Sequence, residues 1–184
     1  MIAFPQSWSA EILLKPPLIA HAIHHIYPKS IEGDEGAIEG ALHLLIKPAS
    51  GPQFLATFIR GFAEPTLPHG VWPTPHPDWL CAASGGYAYM LNTAQPEICQ
   101  QIPYRPVIEI RPAPSQQLLL FTSHREILAW RPTAIAWQSK KLSDEGIRIT
   151  AIGTDHLEAI VWDLHTDKEF PITVDLLTGE RIKT

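Results

Sequence analysis

The chain has 184 residues, enough for one domain with a proper core, and 45% of them are hydrophobic, which excludes a disordered polymer. A formal net charge of −5 leaves no electrostatic footprint for nucleic acid, and no run reaches the roughly 18 apolar residues that a membrane helix needs. The N-terminal stretch MIAFPQSWSAEILLKPP has neither a basic segment nor a long apolar one, so no signal peptide is expected, and Cys81 and Cys99, the two cysteines, read as reduced thiols of a cytoplasmic protein.

The 18 prolines lack a backbone donor and block helix interiors. Most separate short apolar runs, as at Pro48, Pro52, Pro103, Pro106, Pro112, Pro114 and Pro132, which predicts many short strands in place of long helices. In chain order, PLIAHAIHHIYP (17–28) reads as a strand, with a short helix as the alternative. GAIEGALHLLIKP (36–48) and FLATFIRGF (54–62) read as a hairpin around the turn at 48–52. Residues 78–84 and 87–91 flank Gly85-Gly86, a dipeptide suited to a tight hairpin. Residues 96–104 read as one or two helical turns, and PVIEIR (106–111) as a strand. Beyond Gln116 the runs 118–121, 127–130, 134–137, 147–152 and 157–162 are each bounded by turn residues, the signature of an antiparallel meander. About a dozen strands with apolar faces must cover one another. The expectation is a single all-β domain over residues 1–184, an antiparallel β-sandwich with a blade-like C-terminal meander; a bent closed barrel is the alternative.

The stretch VWDLHTDKEFPITVDLLTGERI (161–182) repeats itself: Asp163-Leu-His-Thr-Asp167 returns twelve residues later as Asp175-Leu-Leu-Thr-Gly179. An Asp side chain can accept hydrogen bonds from backbone N–H groups just ahead of it and fix a tight turn. Thr166 and Thr178 can assist, and Gly179 and Asp167 sit where positive φ is tolerated. Leu91-Asn92-Thr93 is a third, weaker copy. The segments VWDLHTDKEF and VDLLTGERI, with ILAWRPTAIAW, resemble the blade repeat of quinoprotein-type β-propellers, in which a strand ending in (A/V)xD meets xTG(K/E)xxW. The resemblance covers about one third of the chain and implies a blade-like meander. The two copies lie twelve residues apart, whereas propeller blades recur at about 40 residues or more, and the rest of the chain carries no such period, so the pattern reads as one turn device used repeatedly within a sandwich.

The most unusual segment is FAEPTLPHGVWPTPHPDW (62–79), which holds five prolines, Trp72, Trp79, His69 and His76. A long connection of this kind is often functional, and its prolines reduce the entropy lost on ordering. Rings held in place would offer stacking faces and hydrogen-bonding tips to a protein partner or a small ligand. The plainer alternative is a stiff strap whose two Trp rings plug the core.

His21, His25 and His43 form the candidate metal set. On a strand, His21 and His25 share a face with Ile23 while His24 points the other way. Zinc chemistry needs three protein ligands and an open position; surface or structural histidines are the alternative. The cluster Glu32, Asp34, Glu35 and Glu39 reads as a solvated turn. Neither Ser84-Gly85-Gly86 nor Ser123-His124 with Glu126 has the geometry of a nucleophilic triad. Cys81 reads as a small hydrophobe, and Glu109 and Arg111 as a same-face pair. The reading is a binding module acting through loops, mainly 62–79, with no catalytic residue and no cofactor assigned. The alternative is a small metal-dependent or pocket-containing enzyme using the histidines.

Overall fold

The computed structural model of the chain describes residues 4–15, 23–29 and 39–182. The protein is all-β; the described residues form sixteen strands in four sheets of four, mostly antiparallel, and none of these sheets closes into a barrel. The closed-barrel alternative therefore does not hold. Among the described residues no helix is long and apolar enough to cross a membrane. The chain divides into two compact units, Phe4–Pro106 and the part from Val107 on.

In the first unit, β1 (Trp8–Leu13), β2 (Ile23–Tyr27), β3 (Leu42–Pro48) and β4 (Phe54–Phe58) form a sheet in the order β1-β3-β4-β2. β3 pairs antiparallel with β1 and β4, and β2 runs parallel to β4. β5 (Gly70–Pro73), β6 (Trp79–Ser84), β7 (Tyr87–Asn92) and β8 (Cys99–Gln101) form a meander in chain order. Successive side chains of a strand point to opposite faces. Leu42, Leu44 and Ile46 thus share a face of β3, and Phe54, Ala56 and Phe58 share a face of β4. That face packs with Leu80, Ala82, Tyr89 and Leu91 of the meander into one buried cluster, so the two sheets form a sandwich.

The second unit repeats this arrangement with two meanders. One is β9 (Glu109–Ala113), β10 (Leu118–Thr122), β11 (Ile127–Trp130) and β12 (Ile135–Gln138). The other is β13 (Ile147–Ile152), β14 (His156–Asp163), β15 (Lys168–Asp175) and β16 (Arg181–Ile182). Leu118, Leu120, Ile127, Ala129 and Trp137 of the first meander meet Ile147, Ile149, Leu157, Val161, Ile172 and Val174 of the second in a single buried cluster.

The repeated Asp motif forms turns as expected. Asp163 Oδ1 accepts from the backbone N–H of Thr166 at 2.8 Å and from its hydroxyl at 3.1 Å, closing the β14–β15 hairpin. Asp175 Oδ1 accepts from Leu177 N, Thr178 N and Thr178 Oγ1 at 2.8–2.9 Å, closing β15–β16. Asp167 and Gly179 take φ of 54° and 73°. At Gly179 a Cβ would stand 2.4 Å from the Trp137 ring, and Trp137 Nε1 in turn donates to Leu176 O at 2.8 Å. Asn92 plays the same part between β7 and β8, accepting from Ala94 N and Gln95 N.

Three expectations change. Residues 96–104 form no helix, because Cys99–Gln101 pairs with Tyr89–Leu91 as an edge strand. The segment 62–79 is not one long unpaired connection, since Gly70–Pro73 pairs with Leu80–Ala83. A long period does exist: the three meanders begin at Gly70, Glu109 and Ile147, intervals of about 40 residues. It is a period of strands and not of residue motifs, so it leaves no repeated text in the sequence.

Candidate functional site

Beyond β4 the chain is pinned against the β6–β7 turn. Gly61 N donates to Ser84 O at 2.9 Å, and Phe62 N donates to Gly85 O at 2.8 Å. This approach requires glycine on both sides: a Cβ on Gly61 would lie 2.7 Å from Gly85 O, and one on Gly85 would lie 2.4 Å from Phe62 O. The Pro-rich loop then closes on itself. Glu64 Oε1 accepts from Thr66 N at 3.1 Å and Thr66 Oγ1 at 3.0 Å, and Leu67 N donates to Glu64 O at 3.2 Å.

Beneath this loop lies a pocket of about 260 Å³, walled by Arg60, Glu64, Pro65, Leu67, His69 and the glycines Gly40 and Gly85. The Arg60 side chain lies across Gly40, with Cδ and Nη1 each 3.0 Å from where a Cβ there would stand. Its Nε donates to Phe62 O at 3.0 Å, which sets the plane of the guanidinium. Its two terminal amino groups have no protein partner among the described residues. His69 is largely exposed. The part of it packed into the pocket, and then the Arg60 charge beside it, push its imidazole below the usual range. At neutral pH it is an uncharged ring with one donor and one acceptor.

The other residues singled out in 62–79 go elsewhere. Trp79 is buried at the start of β6, and its carbonyl accepts from Trp8 Nε1 at 3.1 Å. Trp72 is half-buried opposite Cys81. His76 builds a turn: its Nδ1 accepts from Asp78 N at 3.1 Å, and its carbonyl accepts from Trp79 N at 3.0 Å. The pocket thus takes His69 from this set and leaves Trp72, His76 and Trp79 outside its walls.

Of the histidines near the N-terminus, His21 lies outside the described residues, as do Glu32, Asp34 and Glu35. His25 and His43 pair in register with Ala56 and Thr57, adjacent residues of β4, so they face opposite sides of the sheet. His25 packs on Tyr27 and edge-on against Phe54. His43 Nδ1 and His24 Nε2 instead meet at one hydroxyl, Thr57 Oγ1, at 2.9 and 2.8 Å. Burial, and then the neighbouring His24, push the His43 imidazole down. Among the described residues no three His, Cys, Asp or Glu side chains gather as a metal site would require.

Ser123 is committed to its turn, its Oγ accepting from Arg125 N and Glu126 N and donating to Glu126 O. Arg111 Nε and Glu109 Oε1 stand 3.0 Å apart as a partly exposed pair. Cys81 is buried, and burial pushes its thiol far up. The residue the sequence reading missed is Arg60, two positions before the segment it singled out. No protein-family model matches the chain, and no curated protein matches it.

Proposed function

We propose that this protein is a non-enzymatic, cytoplasmic binding module that takes a small oxyanionic ligand in the pocket between Arg60 and His69. The observation that carries the reading is the Arg60 guanidinium. It is held in plane by its bond to Phe62 O and laid across Gly40, with neither terminal amino group bonded to a described residue. A planar fork of this kind suits two parallel hydrogen bonds to a carboxylate or phosphate. Neutral His69 adds a donor without adding charge. Glu64 is turned to its own loop by Thr66, and Pro65 and Pro68 reduce the entropy that closing the loop would cost.

The test is a titration of the full chain with inorganic phosphate, followed by amide NMR shifts at Gly61, Gly85 and His69. Saturable shifts are expected, weakened at least about tenfold in Arg60→Lys, which keeps the charge but loses the fork. Equal binding by Arg60→Lys and Arg60→Ala, or no saturation, would overturn the reading. A protein partner is the second reading, favoured by Phe62, which is 41% exposed at the loop's start and stands edge-on to Tyr87.

A further inference from the structure

The pocket beneath the Pro-rich loop holds two opposite charges that do not meet. Arg60 and Glu64 both stand in its wall, yet neither forms an ion pair with the other or with any other described residue. Each is held in place by its neighbours. The Arg60 side chain is wedged between two glycines: its Cδ lies 3.0 Å from where a Cβ on Gly40 would stand, and its Cγ lies 2.8 Å from one on Gly85. Its Nε is committed to Phe62 O at 3.0 Å. Glu64 Oε1 accepts from Thr66 N at 3.1 Å and Thr66 Oγ1 at 3.0 Å, in a turn closed by Leu67 N donating to Glu64 O at 3.2 Å. The chain thereby keeps a guanidinium and a carboxylate in one wall without letting them neutralise each other. Glu64 Oε2, like the terminal amino groups of Arg60, bonds no described residue.

A bare anion satisfies Arg60 and leaves the Glu64 charge opposed to it; a bare cation does the reverse. A zwitterion satisfies both. The guanidinium fork suits a carboxylate through two parallel hydrogen bonds, and Glu64 Oε2 is an acceptor for an ammonium. His69 is kept uncharged by the part of it packed into the wall and then by the Arg60 charge, so its ring offers the same ammonium a second acceptor. The rest of the wall includes Pro65 and Leu67, apolar surface against which a hydrocarbon side chain buries. The volume of about 260 Å³ equals the liquid share of about nine water molecules, which bounds that side chain to about four carbons.

We infer that this pocket binds a free α-amino acid with a short hydrocarbon side chain, its carboxylate on Arg60, its ammonium on Glu64 and its side chain against Pro65 and Leu67. The inference rests on the oxyanion reading of the pocket and narrows it. The experiment titrates L-valine into the full chain, with amide NMR at Gly61, Gly85 and His69 as the readout. Two analogues are run beside it: isovalerate, which is valine without the ammonium, and isobutylamine, which is valine without the carboxylate. Valine is expected to saturate with a dissociation constant on the order of 1 mM, and each analogue should bind at least about tenfold more weakly. Glu64→Gln keeps the Oε1 acceptor for Thr66 but removes the charge. It should weaken valine about tenfold and leave isovalerate and inorganic phosphate no weaker than in the parent. Arg60→Lys should weaken valine, isovalerate and phosphate together. Equal binding of valine and isovalerate, or valine binding unchanged in Glu64→Gln, would overturn the inference while the oxyanion reading stands on phosphate. No saturation by valine, isovalerate or phosphate at concentrations on the order of 100 mM would remove both.

Discussion

The sheet that opens the first unit and the sheet that closes the second each hold four strands and each supply one layer of a two-sheet core, yet their strands are joined differently. In the last sheet every strand pairs with its neighbour in the chain, and Asp163 and Asp175 close two of the reversals. In the first, β1 pairs with β3, and β2 lies parallel to β4 at the far edge. No turn can dictate that order. It is set by which side chains bury together, chiefly Phe58 against Tyr27 and Tyr89, with ring centroids 5.1 and 5.4 Å apart. The contrast is between a sheet held by its interior and one held by its interior and its turns.

Four measurements sharpen that contrast or break it. The largest effect belongs to Phe58→Ala, which empties the aromatic core under the first sheet and should cost about 3–5 kcal/mol. Followed by calorimetry on the full chain, it also tests the single-domain expectation: one transition moving as a whole supports it, and a second transition left in place defeats it. Gly179→Ala attacks the last sheet through a turn. The strained φ and the Trp137 ring together should cost about 1–3 kcal/mol, and an unchanged melting temperature would show that the turn is not a constraint.

Third comes pH. The imidazole of His43 is held below its usual range by burial and then by His24. The unfolded chain therefore binds its proton first on acidification. Stability is full above the ordinary histidine value of about 6.5 and declines as pH falls below it. His43→Gln, which can still bond Thr57, should flatten that decline between about pH 7.5 and 5.5; an identical slope would remove His43 as its cause. The smallest effect is at Asp175, whose carboxyl is held down by hydrogen bonds from the Thr178 backbone and side chain and from Leu177 N. A depressed carboxylate stabilises above its unfolded pKa, and that stability is lost as pH falls through the folded value. Asp175→Asn should lower stability by no more than about 1 kcal/mol at neutral pH, since the group is solvent-screened. The gap to the parent should close in acid below the ordinary carboxylate range.

The two sheets also differ in how much of them is legible in the residues. Ile127–Trp130 and Ile147–Ile152 are strands over the spans that their flanking turns mark out, because each run carries its own stop signals. The parallel pairing of β2 with β4 has no such marker: Ile23–Tyr27 reads as a strand, but its partner and direction come from the shared burial of Tyr27 and Phe58. The candidate site follows the same division. His69 is visible in a Pro-rich loop, whereas Arg60 gains its role only by crossing Gly40, a residue twenty positions earlier in the chain. The inward register of Gln101 is hidden for a related reason. In CQQIP it looks solvated, and only its register opposite Tyr89 turns it inward.

The parallel pair also orders events at the ribosome. β2 leaves the exit tunnel with no neighbour to bond, since its partner Phe54–Phe58 is not made until β3 and the reversal after it have followed. Until then Ile23–Tyr27 is a nascent strand with an open ladder, a ready target for a chaperone or for a second nascent chain. The meanders that come after meet no such delay, as each new strand finds its mate in the one just synthesised.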